Sequence, residues 1–223
     1  MRIKYILFDF DGVLAESVGI KTEAFRQMYL SYGEDFAQKV VDHHLANGGM
    51  SRYEKVQVYN GEWLGEELNQ KNIQQLTQKF SDLVVEGVVN SKEVTGTSDF
   101  LNSSKDYKNY IITGTPTIEI KKILECRNMN HFFEKIYGSP EKKDYWVKEI
   151  LKNENILPEQ CVFVGDAIVD YKAALGNNIT FILRETKETE KLFKAFRGYR
   201  IKDLTSLHTI LNEIQNDQLK EIM

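Results

Sequence analysis

Four short apolar runs, Tyr5–Phe10, Tyr107–Thr113, Cys161–Gly165 and Ile179–Leu183, limit most strongly what this chain can fold into. Short, nearly continuous apolar runs suit strands buried on both faces, as in a parallel sheet covered by helices. A weaker run, Phe133–Tyr137, precedes Gly138-Ser139-Pro140. Between the runs, apolar residues recur at helical spacing. Ile118, Ile120, Ile123 and Leu124 form one face, and Trp146, Val147, Ile150 and Leu151 form another. Strands alternating with helices predict an α/β fold, a Rossmann-like parallel sheet with helices on both faces.

Residues 16–90 break that rhythm. Phe25, Met28, Tyr29 and Tyr32 make one stripe, Val56, Tyr59, Trp63 and Leu64 a second, and Leu76, Phe80, Leu83 and Val84 a third. No convincing strand lies between them, so the segment reads as an inserted all-helical unit. Residues 1–15 and 91–223 form the α/β core in this reading. A chain of 223 residues accommodates one domain with such an insert and buries a core without staples. Its net charge of −4 lacks the basic balance of a nucleic-acid binder. No segment approaches the ~20 apolar residues that span a bilayer. Arg2 and Lys4 begin like a signal peptide, but the apolar run meets Asp9 too soon, so a cytoplasmic location is expected. Cys126 and Cys161 are too few for a disulfide framework or a cysteine-rich metal site.

Each strand-like run ends in chemistry. The first delivers Asp9-Phe10-Asp11-Gly12, and alternation places both carboxylates on one side. Like charges that close persist only with a cation, a shared proton or ample solvent. The second run ends at Thr113-Gly114-Thr115-Pro116, a hydroxyl beside a glycine N–H near a helix start, which suits an anion or a capped turn. The run at 161–165 leads into Asp166 and Asp170, four apart and on one face if a helix begins there. Helix capping explains one aspartate but not four converging on a crevice at the carboxyl ends of the strands. Mg²⁺, a hard cation that favours carboxylate oxygens, explains all four. A lysine after Pro140 would balance the charge. Lys142 and Lys143 both stand there, and Lys143 is preferred because Trp146, Val147 and Ile150 share its helical face.

These segments, in this order, resemble the four motifs of the haloacid dehalogenase superfamily. Asp9-Phe10-Asp11-Gly12-Val13-Leu14 matches a DxDGxL form, and Thr113 stands at the Ser/Thr of the second motif. Gly138-Ser139-Pro140-Glu141-Lys142-Lys143 resembles a third motif, and Gly165-Asp166 through Asp170 a GDxxxD fourth. The helical insert resembles the superfamily's α-helical cap, in the group of phosphoglycolate phosphatases and β-phosphoglucomutases. The resemblance implies a Mg²⁺-dependent phosphatase with Asp9 as nucleophile and Asp11 as proton shuttle. It implies metal ligation by Asp9, the Asp11 carbonyl oxygen and Asp166, with Asp170 in support. Thr113, Gly114 and Lys143 would bind phosphoryl oxygens. Gly49-Met50-Ser51-Arg52 resembles the cap loop, making Arg52 a candidate substrate contact.

The second aspartate argues against a dehalogenase, since halide departure needs no proton. A phosphosugar mutase is the alternative. In that subgroup a cap histidine follows the first motif, whereas Lys21 occupies the matching position here. His43 and His44 are expected on the cap surface or at its interface. A non-catalytic binding module is the third reading, and the presence of all four motifs opposes it. A cap of this size favours a small phosphorylated metabolite as substrate. Nothing in the sequence sets an oligomeric state.

Overall fold

The computed structural model describes residues 2–222, with side chains described for residues 2–220. Strand β1 (Tyr5–Phe8) leads into the helical insert, made of α1 (Val18–Tyr29), α2 (Glu34–Ala46), α3 (Arg52–Val56), a π-helical turn (Gln57–Trp63) and α4 (Gln70–Asn90). The chain returns through α5 (Thr97–Ser103) to β2 (Lys108–Pro116), α6 (Thr117–Cys126), β3 (Lys135–Ser139) and α7 (Lys143–Asn153). It finishes with β4 (Cys161–Gly165), α8 (Ile168–Gly176), β5 (Thr180–Arg184), α9 (Lys187–Glu190), β6 (Tyr199–Ile201) and α10 (Leu207–Ile222).

The strands form one six-stranded sheet in the order β3-β2-β1-β4-β5-β6, with every pairing parallel. Alternation along the strands divides two cores. Ile6, Phe8, Ile111, Val162, Val164 and Ile182 face α5, α6 and α10. Leu7, Tyr110, Ile112, Phe163, Phe181 and Leu183 face α7 and α8. Leu7 pairs with Tyr110 on one side and Phe163 on the other, which sets the register at the centre of the sheet. The four apolar runs all become strands, and the weaker run at 133–137 becomes β3 two residues later. The edge strand β6 has no counterpart among the apolar runs, because its three residues lie among charges.

The order reverses beside β1, the condition that opens a crevice at the carboxyl ends of the strands. The insert leaves and rejoins the core at one place. Ala15 bridges Glu93, and the Glu16 N–H donates to the Lys92 carbonyl at 2.9 Å. The expected stripes form its interior: Phe25, Met28, Tyr29, Tyr59, Phe80 and Val84 are buried. Phe25 alone meets the rings of His44, Tyr59 and Phe80. Arg52 ties the insert to the core. Its guanidinium grips the Glu119 carboxylate of α6 at 2.5 and 2.8 Å and donates to Ser81 of α4 at 2.5 Å. Among the described residues, no helix is long and apolar enough to cross a membrane.

Candidate active site

Asp9 follows β1 directly and is buried. Its N–H still donates to the Val164 carbonyl at 3.0 Å, so the sheet holds its backbone. Its Oδ1 accepts from the Phe10 N–H at 2.7 Å, and its Oδ2 lies 2.7 Å from Lys143 Nζ. The same ammonium donates to Asp170 Oδ1 at 2.6 Å, and Asp170 Oδ2 accepts the Ala167 N–H at 3.1 Å. One carboxylate thus caps the start of α8 and positions the lysine. Lys143 opens α7 and is buried, while Lys142 beside it is exposed. The structure therefore brings the preferred lysine of the pair into the cluster.

Helix α8 begins at Ile168, so Asp166 lies in the loop before it and does not share a helical face with Asp170. The two converge all the same. Carboxylate oxygens of Asp9, Asp166 and Asp170 lie within 4.8 Å of one another. Burial, followed by the charges of Asp9 and Asp170, holds the Asp166 carboxyl well above its usual range. Burial likewise pushes Asp9 up to about 6, against the pull of Lys143. Lys143 shows the opposite outcome. Burial alone would lower it, but Asp170 and Asp9 together keep it firmly protonated.

Asp11 stands apart from this trio. Its carboxylate accepts from Ser17 Oγ at 2.6 Å, Lys21 Nζ at 2.5 Å and Thr115 Oγ1 at 3.1 Å. Burial alone would raise it, but Lys21, Ser17 and Thr115 outweigh burial and hold it below the usual carboxylate range. The two aspartates so close in sequence therefore coexist because each has its own lysine, one from the core and one from the cap. Thr113 is buried, and its Oγ1 accepts the Thr115 N–H at 3.2 Å, which leaves the hydroxyl proton available as a donor. Gly114 lies against the cap loop, where a Cβ would come within 2.7 Å of the Gly49 carbonyl oxygen.

Asp9, Asp11, Thr113, Gly114 and Asp166 line one cavity of about 600 Å³ between core and cap. Arg52 also lines it, with its guanidinium committed to Glu119 and Ser81. Ser17, Lys21, Lys55, Thr115 and Glu119 were not among the expected site residues. Thr115 carried a usable signal, being two positions beyond Thr113 on the same strand. His44 is buried at the cap interface and lines the cavity, while His43 pairs with the Tyr59 hydroxyl at 3.0 Å.

The donor set fits a hard divalent cation. Three carboxylates converge where one ammonium, Lys143, contacts only Asp9 and Asp170, so the cluster lacks positive charge beside Asp166, and every ligand atom is oxygen. The packing around it is close. Gly12 has φ +75°, and a Cβ there would lie 2.2 Å from Asp166 Oδ2.

The sequence profile of the haloacid dehalogenase-like hydrolases matches residues 6–184, from β1 to the end of β5. The chain belongs to this family. Among its haloacid dehalogenase-like relatives, a phosphoglycolate phosphatase of Psychrobacter arcticus is 28% identical over 192 residues, covering 80% of this chain and 82% of the relative. A second phosphoglycolate phosphatase, of Colwellia psychrerythraea, is 26% identical over 185 residues, with 78% and 80% covered. A solved structure described as a "predicted phosphatase" from Clostridium acetobutylicum superposes with a TM-score of 0.74 at 21% identity. It covers 96% of this chain and all (100%) of that one. This likeness extends the shared fold over nearly the whole chain.

Proposed function

We propose that this haloacid dehalogenase-like hydrolase is a Mg²⁺-dependent phosphatase acting on a small phosphorylated metabolite through an aspartyl-phosphate. The reading rests on one observation above all: Asp9 and Asp11 face one cavity in opposite electrostatic settings. Asp9 belongs to a carboxylate-rich cluster that calls for a cation, and Asp11 is held by hydroxyls and a lysine. Metal-free, the raised Asp9 and the lowered Asp11 are the reverse of what a nucleophile and a general acid need. A cation at the cluster would therefore have to ionise Asp9, and Asp11 must be protonated once substrate is bound. The likeness to relatives named phosphoglycolate phosphatase supports starting the search for a substrate with short phosphorylated acids.

Asp9, Asp166 and the Asp11 carbonyl oxygen would hold Mg²⁺, with Asp170 behind them. Bound there, the ion supplies positive charge against the phosphoryl oxygens. A carboxylate oxygen of Asp9 attacks phosphorus as the bond to the ester oxygen breaks, and Asp11 gives the departing alkoxide a proton. Asp11 rests ionised under the pull of Lys21, Ser17 and Thr115, so it must first take that proton from solvent or from a monoprotonated phosphate ester. Water then attacks phosphorus, Asp11 accepts its proton, and Asp9 departs as a carboxylate. Thr113, the Gly114 N–H and Lys143 orient the phosphoryl oxygens. Arg52, held by Glu119, keeps the cap against the core at the substrate's far end.

The decisive assay is release of inorganic phosphate from a panel of small phosphate esters, with Mg²⁺ and with a chelator. Release that requires Mg²⁺ is expected. A phosphosugar mutase would release little phosphate and depend on a bisphosphate activator.

The buried acidic cluster also sets a pH dependence. The ordinary Asp value is 3.8 and that of Asp9 in the fold is about 6, so the metal-free native state takes up a proton between them. Metal-free stability contributed by Asp9 therefore falls as pH rises through that window. Mg²⁺ competes with the proton. Its increment in melting temperature should be larger at about pH 7.5 than at about pH 5. Equal increments in calorimetric scans at the two pH values would count against metal binding by this cluster.

A further inference from the structure

Four cationic side chains line the cavity: Lys21, Arg52, Lys55 and Arg184. Three of them hold a carboxylate of this chain. Lys21 is on Asp11, Arg52 on Glu119 and Arg184 on Glu16. Lys55 has no such partner among the described residues. The residue is 2% exposed, and among the described residues its Nζ hydrogen-bonds to His44 alone, at 2.7 Å from Nδ1 and 3.5 Å from the carbonyl oxygen. Phe25 lies beneath it, with the ring centroid 5.5 Å from Nζ. A buried amine is costly without an anion, and a lysine that serves only packing would carry its head to bulk water.

We infer that Lys55, with His44 behind it, receives a carboxylate on the substrate, at the end opposite the scissile phosphate. The inference rests on the phosphatase reading and assigns within it the residue that would select a short phosphate ester bearing a carboxylic acid over a neutral-ended one. The Lys55 ammonium has three N–H donors, and the one spent on His44 Nδ1 leaves two. That number suits the two oxygens of a carboxylate better than the three of a second phosphate. The fork-shaped cation that would suit a phosphate, Arg52, is committed to Glu119.

The charged surroundings of Lys55 set its response to pH. Burial, then Lys21 on α1, push its ammonium down to about 7, while Glu54 on its own helix and Asp11 on the core raise it less. Burial, then Lys55 and Lys21, with His43 beside it, hold His44 well below its usual value, so it is neutral and adds no charge. Lys55 is charged below about pH 7 and attracts the carboxylate. Above that pH the attraction fades as the proton leaves.

The test compares kcat/KM for phosphoglycolate with that for hydroxyethyl phosphate, a neutral-ended ester of the same length, and for ethylene glycol bisphosphate. The wild-type protein should prefer the acid by about tenfold or more near pH 6.5, the scale of one charge-assisted contact. The ratio of acid to neutral ester cancels changes in the shared phosphate chemistry. It should fall with rising pH above about 7, approaching tenfold per pH unit while the protonated form carries the preference. Lys55→Met should erase most of the ratio. If that variant does not fold, the pH profile of the wild-type ratio carries the test alone. A wild-type ratio near one, a ratio flat from about pH 6 to 9, a folded Lys55→Met that keeps the preference, or faster turnover of the bisphosphate overturns the assignment. Hydrolysis of none of the esters with Mg²⁺ present overturns the phosphatase reading itself.

Discussion

Asp9→Asn is expected to lower phosphate release by about 10⁴-fold or more, because an amide cannot form the acyl phosphate. The change is nearly isosteric, and Lys143 keeps Asp170 at 2.6 Å. It also removes one charge from a cluster in which burial already disfavours the ionised form. The variant should therefore melt at or above the wild-type temperature. Steady-state kinetics beside a thermal melt would separate lost chemistry from lost fold. Turnover within about tenfold of wild type, in a preparation free of deamidated protein, would mean that water attacks the ester directly.

Asp11→Asn should give a different signature. Losing a general acid and base costs about 10² to 10⁴ in rate. The loss should be largest for alkyl phosphates, whose leaving oxygen needs a proton. With p-nitrophenyl phosphate the first step needs little acid, while hydrolysis of the aspartyl-phosphate still lacks its base. A rapid release of about one nitrophenol per enzyme, followed by slow turnover, is the expected trace. Uniform slowing of alkyl and aryl esters with no burst would assign Asp11 to holding the cap lysine rather than to proton transfer. Its contacts with Ser17, Lys21 and Thr115 make that a real alternative outcome.

Much of the core was readable because parallel strands buried on both faces are written as unbroken apolar runs. Ile6-Leu7-Phe8 and Cys161-Val162-Phe163-Val164 become adjacent central strands on that basis. Lys143 was separable from Lys142 by helical phase, since it shares a face with Val147 and Ile150, and all three are buried. Asp166 does not follow helical phase with Asp170. The helix starts two residues later, and a loop brings that carboxylate into place. Strand β6 escaped notice because three residues at a sheet edge need little apolar character.

Which chemical groups gather at the carboxyl ends of the strands was already written in the order of residues, because strand ends are largely local properties of the chain. That order set out the aspartates, the threonine, the lysine after Pro140, and the helical insert that covers them. How those groups are partnered depends on the packed fold. Lys21 meets Asp11 across the cap–core boundary, Arg52 is taken by Glu119, and Lys55 lines the cavity with no carboxylate partner among the described residues. Such partnerships join residues far apart in the chain, and their charge states depend on burial. Distance and burial exist only once the cap has been laid against the sheet.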